Sequence, residues 1–181
     1  MTDLIFNTIK KELSSALTDK KHPFRYFTMA TSDISGRSRL RTVVLRDFDE
    51  DFNLYIYTDK RSKKITHIIE REWVSALFYD PEKLMQVVIR AKAYIIDDDK
   101  SLARAWQQIP EKSKRDYTTI QKPGEEIQNP EIVDYLDKKD FFTILKFVPD
   151  KVEYLKLKRP NHVRACFKRV GGGWDGSFIV P

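Results

Sequence analysis

The chain has 181 residues, 41% of them apolar and 33% charged, enough for one domain with its own core and too apolar for a disordered tail. No run approaches the roughly 20 apolar residues of a membrane-spanning helix. A single cysteine, Cys166, excludes an internal disulfide framework, and Lys10, Lys11 and Glu12 interrupt any leader-like apolar stretch, so a cytoplasmic protein is expected.

The net charge of +6 fits an anionic partner such as a phosphorylated small molecule, nucleic acid or an acidic membrane face, and equally fits simple solubility. Ile5, Ile9, Leu13 and Leu17 recur every four residues and predict a helix over Thr2 to Thr18. Strand-like runs follow at Phe24 to Thr31, Leu40 to Phe48 and Leu54 to Thr58, the first two joined by a turn in which Gly36 is free to take a positive φ. Ile65, Ile68 and Ile69 then mark a helix between about Arg61 and Glu70. Further strands are expected at Trp73 to Tyr79 and Leu84 to Ile96, ending at Asp97, Asp98 and Asp99. Helices are expected at Lys100 to Gln108 and Pro130 to Lys138. Phe141 to Val148, Lys151 to Leu157, Arg164 to Val170 and Gly176 to Val180 complete the strands, with the last hairpin turning at Gly171 to Gly173. About eight strands in meander order predict a mainly β protein, a small antiparallel barrel with inserted helices.

The chemistry concentrates between Arg41 and Lys64. Alternation along a strand puts Arg41, Val43 and Leu45 on one face and Thr42, Val44 and Arg46 on the other. Arginines bracketing an apolar strand suit a bidentate phosphate contact, or are rim residues reaching solvent. After Tyr57 and Thr58, a helix capped by Asp59 or Ser62 begins with Lys60, Arg61, Lys63 and Lys64, where the macrodipole disfavours cations. A bound phosphate resolves that conflict; a solvated basic turn is the plain alternative. Gln86 lies in an apolar strand, suited to the polar edge of a heteroaromatic ring or to a solvent-facing edge. No metal-ligand spacing is present, and Asp97 to Asp99 reads as a turn and helix cap.

Arg41-Thr42-Val43-Val44-Leu45-Arg46, then Tyr57-Thr58 with Ser62-Lys63-Lys64, then Gln86-Val87 resemble, in order and spacing, three motifs of the pyridoxamine 5′-phosphate oxidase-like family. The wording is closest to its oxidase-related branch. The resemblance implies a single FMN-binding split-barrel domain over residues 1–181, with an N-terminal helix at about 2–18 and a helical insertion at about 99–138. It implies a homodimer with FMN at the subunit interface and a small-molecule substrate, no nucleic acid and no membrane. Arg41 and Lys64 would hold the FMN phosphate with Ser62 and Lys63 nearby. Thr42, Val43, Val44, Tyr57 and Thr58 would line the ribityl chain and ring, Gln86 would contact the ring, and Arg164 would approach from the partner. Arg46 and His162 would face substrate, with His162 the one catalytic candidate.

The departures fall on the substrate side. Arg46 stands where the oxidases carry Lys. Trp106, Pro110 and Lys114 occupy the register of their Tyr, Arg and Ser, Leu155 that of a Trp, and Pro160 that of an Arg. The resemblance therefore implies an FMN-dependent oxidoreductase of unassigned substrate. The alternatives are a true pyridoxamine/pyridoxine 5′-phosphate oxidase with a remodelled site, or a flavin-binding protein without turnover.

Overall fold

Helix α1 spans Thr2–Thr18 and buries Phe6, Ile9, Leu13 and Ala16. The buried stripe is the one the four-residue spacing implies, with Phe6 and Ala16 widening it to a full helical face. The computed structural model describes residues 1–137 and 140–181. Nine strands follow α1: β1 (Tyr26–Ser32), β2 (Ser38–Val44), β3 (Asp47–Phe48), β4 (Leu54–Asp59), β5 (Trp73–Asp80), β6 (Met85–Ile96), β7 (Phe142–Lys156), β8 (Val163–Val170) and β9 (Gly173–Phe178). Helix α2 (Lys63–Glu70) joins β4 to β5, and α3 (Asp99–Gln108) and α4 (Glu111–Lys114) follow β6. Asp98 caps α3, its carboxylate accepting from the Ser101 N–H at 2.8 Å.

The strands form one antiparallel sheet in the order β2-β1-β5-β6-β7-β4-β3, with β8 on β7 and β9 on β8. This is not the expected meander. β1 pairs with β5, and β4 pairs with β7 far along the chain. The two runs predicted at Phe141 to Val148 and Lys151 to Leu157 are one strand, β7, long enough to pair with β4 at one end and β8 at the other. The β6–β7 register shifts between Arg90 and Ala91, where β7 carries one extra residue, Asp150. Phe27, Met29, Phe78, Val87, Ile89 and Phe147 fill the inner face, and α1 closes it.

Two further expectations change. The run Leu40 to Phe48 breaks after Val44: the Leu45 N–H still bonds the Arg25 carbonyl in register at 2.9 Å, but the Arg25 N–H is taken by the His22 carbonyl at 3.0 Å and the Arg46 N–H turns to the Tyr55 carbonyl on β4 at 2.9 Å. Strand alternation therefore does not extend to Arg46. No helix forms over 130–137, and Lys138 lies outside the described residues. The Asn129 side chain accepts from the Glu131 N–H at 2.9 Å, starting a turn. Ile120 N–H then bonds Asp134 O, and Leu136 N–H bonds Thr118 O. A nine-residue helix containing Ile132, Val133 and Tyr135 would gain little alone, so short β pairing with 118–120 prevails. Among the described residues no helix is long and apolar enough to cross a membrane.

Candidate functional site

The end of β4, the start of α2 and the middle of β2 converge on a cluster of cations. Ser62 holds the N-cap position of α2, yet its hydroxyl makes no cap bond. Instead the Lys64 ammonium donates to Thr58 Oγ1 at 2.7 Å and to Ser62 Oγ at 3.1 Å. From β2, Arg41 Nη1 donates to Thr31 Oγ1 at 2.8 Å and to the Met29 carbonyl at 3.3 Å. Thr31 is buried and its hydroxyl lies 3.0 Å from His67 Nδ1, so Arg41 is tied through one threonine to α2.

These cations repel one another. Burial pushes the Lys64 ammonium down to about 8; Arg41 and Arg39 push the same way, against Asp59. Arg41 is lowered by burial and by Arg39. Among the described residues neither Arg41 nor Lys64 has a carboxylate in salt-bridge contact. The donor set, with the positive end of α2 beside it, is built for a compact anion with several acceptor oxygens. It fits a phosphate monoester.

Arg61 is turned elsewhere. Its backbone N–H and guanidinium bind the Asp59 carboxylate, with contacts of 2.7, 3.1 and 2.6 Å. Lys60 and Lys63 are exposed. Of the four cations expected to crowd the helix start, Lys64 alone bonds within the cradle. Asp59 is not the cap; it is buried and neutralised by Arg61.

Gln86 stands apart. Its pairing runs Tyr79–Gln86–Leu155–Arg164 across β5, β6, β7 and β8. These paired residues share the outer face of the sheet, whereas Arg41 pairs with buried Met29 on the inner side. Thr42 and Val44 share the outer face, and Val43 packs toward the core. Arg164 donates to Glu153 Oε2 at 2.9 Å, and Lys151 pairs with the same carboxylate. Around Gln86 the outer face is unusually apolar: Tyr26, Leu40, Trp73, Leu77, Tyr79 and Tyr94 are all substantially exposed.

On the other side of β4, Tyr57 sits edge-on to Phe142, and the Arg46 guanidinium lies 5.5 Å over the Tyr57 ring. Trp106 packs against Tyr117 and Phe142. Burial raises the Tyr117 phenol, and the Arg46 charge opposes that rise. Next to them lies a cavity of about 390 Å³, lined by Asp47, Tyr55, Tyr57, Arg104, Gln108 and Ile144. His162 is exposed in the β7–β8 loop, its Nδ1 accepting from the Lys158 N–H at 3.1 Å. Nothing brings it to Arg46 within the described residues. His22 bonds Glu12 and the Phe24 N–H. Thr31, Asp59, Arg61 and His67 belong to the cradle's surroundings; sequence reasoning gave Thr31 and His67 no such role, and had Asp59 as a possible cap and Arg61 among the cations facing the anion. Their partners lie far along the chain or reverse the local charge pattern, so no short motif announces them.

The sequence matches the family described as pyridoxamine 5′-phosphate oxidase, FMN-binding domain, over residues 6–97. A pyridoxine/pyridoxamine 5′-phosphate oxidase of Acinetobacter baumannii is 27% identical, the match covering 92% of this chain and 82% of that protein. Pyridoxine/pyridoxamine 5′-phosphate oxidase 2 of Arabidopsis thaliana is 30% identical over 86% of this chain and 87% of its own length. A pyridoxamine 5′-phosphate oxidase-related FMN-binding protein from Nostoc punctiforme superposes with a TM-score of 0.79 at 24% identity, over 97% of this chain and 96% of that one. PhzG of Burkholderia lata, solved with tetrahydrophenazine-1-carboxylic acid, gives the same TM-score at 19% identity, over 97% and 92%. At these identities the two structures establish the fold, a mostly antiparallel sheet with few helices.

Proposed function

Because the chain belongs to the pyridoxamine 5′-phosphate oxidase FMN-binding domain family, we propose that it binds FMN and acts as an FMN-dependent oxidoreductase on a small molecule. The observation that carries the reading is the Lys64 ammonium, depressed beside Arg41 with hydroxyl partners and, among the described residues, no carboxylate in salt-bridge contact. A phosphate supplies the missing negative charge. Arg41 and Lys64 hold it, while Ser62 and Thr58 orient the ammonium and Lys63 adds to the local field. The bound flavin supplies hydride chemistry. Val43 and Tyr57 line the rest of the cofactor, with Thr42 and Val44 contributing through their backbone.

Gln86 and Arg164 face away from their own chain's cradle. The reading therefore draws them from a second copy, so the working form is a homodimer joined over the apolar outer face. Its exposed tyrosines, leucines and Trp73 suit that contact. Arg46 is the cation offered to substrate, beside the cavity under α3. His162 lies in an exposed loop and reaches a substrate only across the dimer. An absorption spectrum of purified protein, with the mass of any released chromophore, tests the cofactor. Flavin bands and the FMN mass are expected. Colourless protein that does not take up added FMN would overturn the reading.

A second reading, pyridoxamine/pyridoxine 5′-phosphate oxidation, rests on relatives so named that match most of this chain. Oxygen-dependent turnover of pyridoxamine phosphate by the FMN-loaded protein would support it. Trp106, packed among aromatic rings in place of a phosphate-binding Tyr, weighs against it.

A further inference from the structure

Arg61 joins two regions that are distant in sequence. Its guanidinium takes the Asp59 carboxylate as a fork, donates to the carbonyls of Thr119 at 2.8 Å and Ile120 at 3.0 Å, and stacks 3.3 Å from the centre of the Phe141 ring. The side chain is only 13% exposed and Asp59 only 5%. Asp59 directly follows Thr58, the hydroxyl that receives the Lys64 ammonium, and its charge acts on Lys64. The two carbonyls belong to the segment that pairs with 134–136. One planar cation thus satisfies a buried acid, two loop carbonyls and an aromatic face, a combination that lysine's point charge does not reproduce.

We propose that Arg61 is a positioning residue that couples the 115–137 insertion to the anion cradle through Asp59. It touches neither cofactor nor substrate. Its fork holds Thr119 and Ile120 against the end of β4. Its charge neutralises Asp59, so that the carboxylate does not compete with the bound anion for Lys64. This rests on the cradle being the FMN phosphate site, but its structural part concerns the chain alone.

The test uses full-length wild type, Arg61→Lys and Arg61→Gln, each read three ways. Hydrogen exchange follows the Ile120 and Leu136 amides, which bond across the insertion. Amine labelling against pH, read by mass spectrometry, follows Lys64 without any ligand. Flavin fluorescence quenching follows FMN affinity. In both variants the two amides are expected to exchange about tenfold faster or more. In Arg61→Gln the bared carboxylate moves the Lys64 labelling midpoint upward from about 8; Arg61→Lys, which keeps the charge, leaves it near the wild-type value. FMN affinity drops severalfold in Arg61→Gln and less in Arg61→Lys. An unmoved Lys64 midpoint in a folded Arg61→Gln, or unchanged exchange in Arg61→Lys, would overturn the coupling. If exchange and labelling shift as stated while no protein binds FMN, the coupling stands and the FMN reading falls.

Discussion

Gln86 and Arg164 flank Leu155 in one row across three strands, on the sheet face opposite the one Arg41 joins. On the proposed reading, a ligand that touches both Arg41 and Gln86 meets two copies of the chain. Co-expressing an Arg41→Gln/Lys64→Met chain with a Gln86→Ala/Arg164→Ala chain tests this. The mixed dimer has one site built wholly from intact residues and one doubly broken, so half an equivalent of FMN per chain is expected. Isothermal titration of the purified heterodimer measures it. Failure of the mixed dimer to bind, or two weak sites, would mean each site is built within one chain.

Lys64→Met should weaken FMN binding about 10- to 100-fold, the usual range for losing one charge-assisted contact. The same change should leave the ligand-free protein as stable or more so. It removes a buried ammonium that burial and Arg41 already disfavour. Flavin quenching and thermal melting report the two effects separately. A variant that binds FMN as well as wild type would remove Lys64 from the site.

The pH dependence has a definite sign. With its pKa lowered from 10.5 to about 8, Lys64 gives up its proton in the folded chain before it would in the unfolded one. Stability of the ligand-free protein should therefore recover as pH rises from about 8 towards 10.5. FMN affinity should run the other way, full below about 8 and falling above it. Repeating both curves with Lys64→Met isolates the contribution, since the variant should lack that step in each.

Leu77 and Tyr79 sit in the middle of the apolar outer face, next to Val88 and Gln86. Leu77→Glu should give a folded monomer, because a charge centred on such a face costs more than the contact returns. Sedimentation velocity checks the mass, and circular dichroism checks the fold. FMN binding should fall with the dimer. A Leu77→Glu protein that stays dimeric would place the interface elsewhere.

Much of the local structure is legible in the residues alone. The spacing of Ile9 and Leu13 determines α1, the alternation in Trp73–Asp80 determines β5, and the three motifs of Arg41, Ser62-Lys63-Lys64 and Gln86 identify the family, all because they depend on neighbours within a few positions. Tertiary structure decided the rest. It turned Arg61 from the cradle onto Asp59, Thr119 and Ile120, replaced the helix expected at 130–138 by pairing of Tyr135 with Thr119 over the described residues, and set Gln86 on the face opposite Arg41. Each of these turns on a partner more than a dozen residues away or on strand order. The free energy of such contacts depends on which surfaces the whole sheet brings together, and local periodicity carries no record of that.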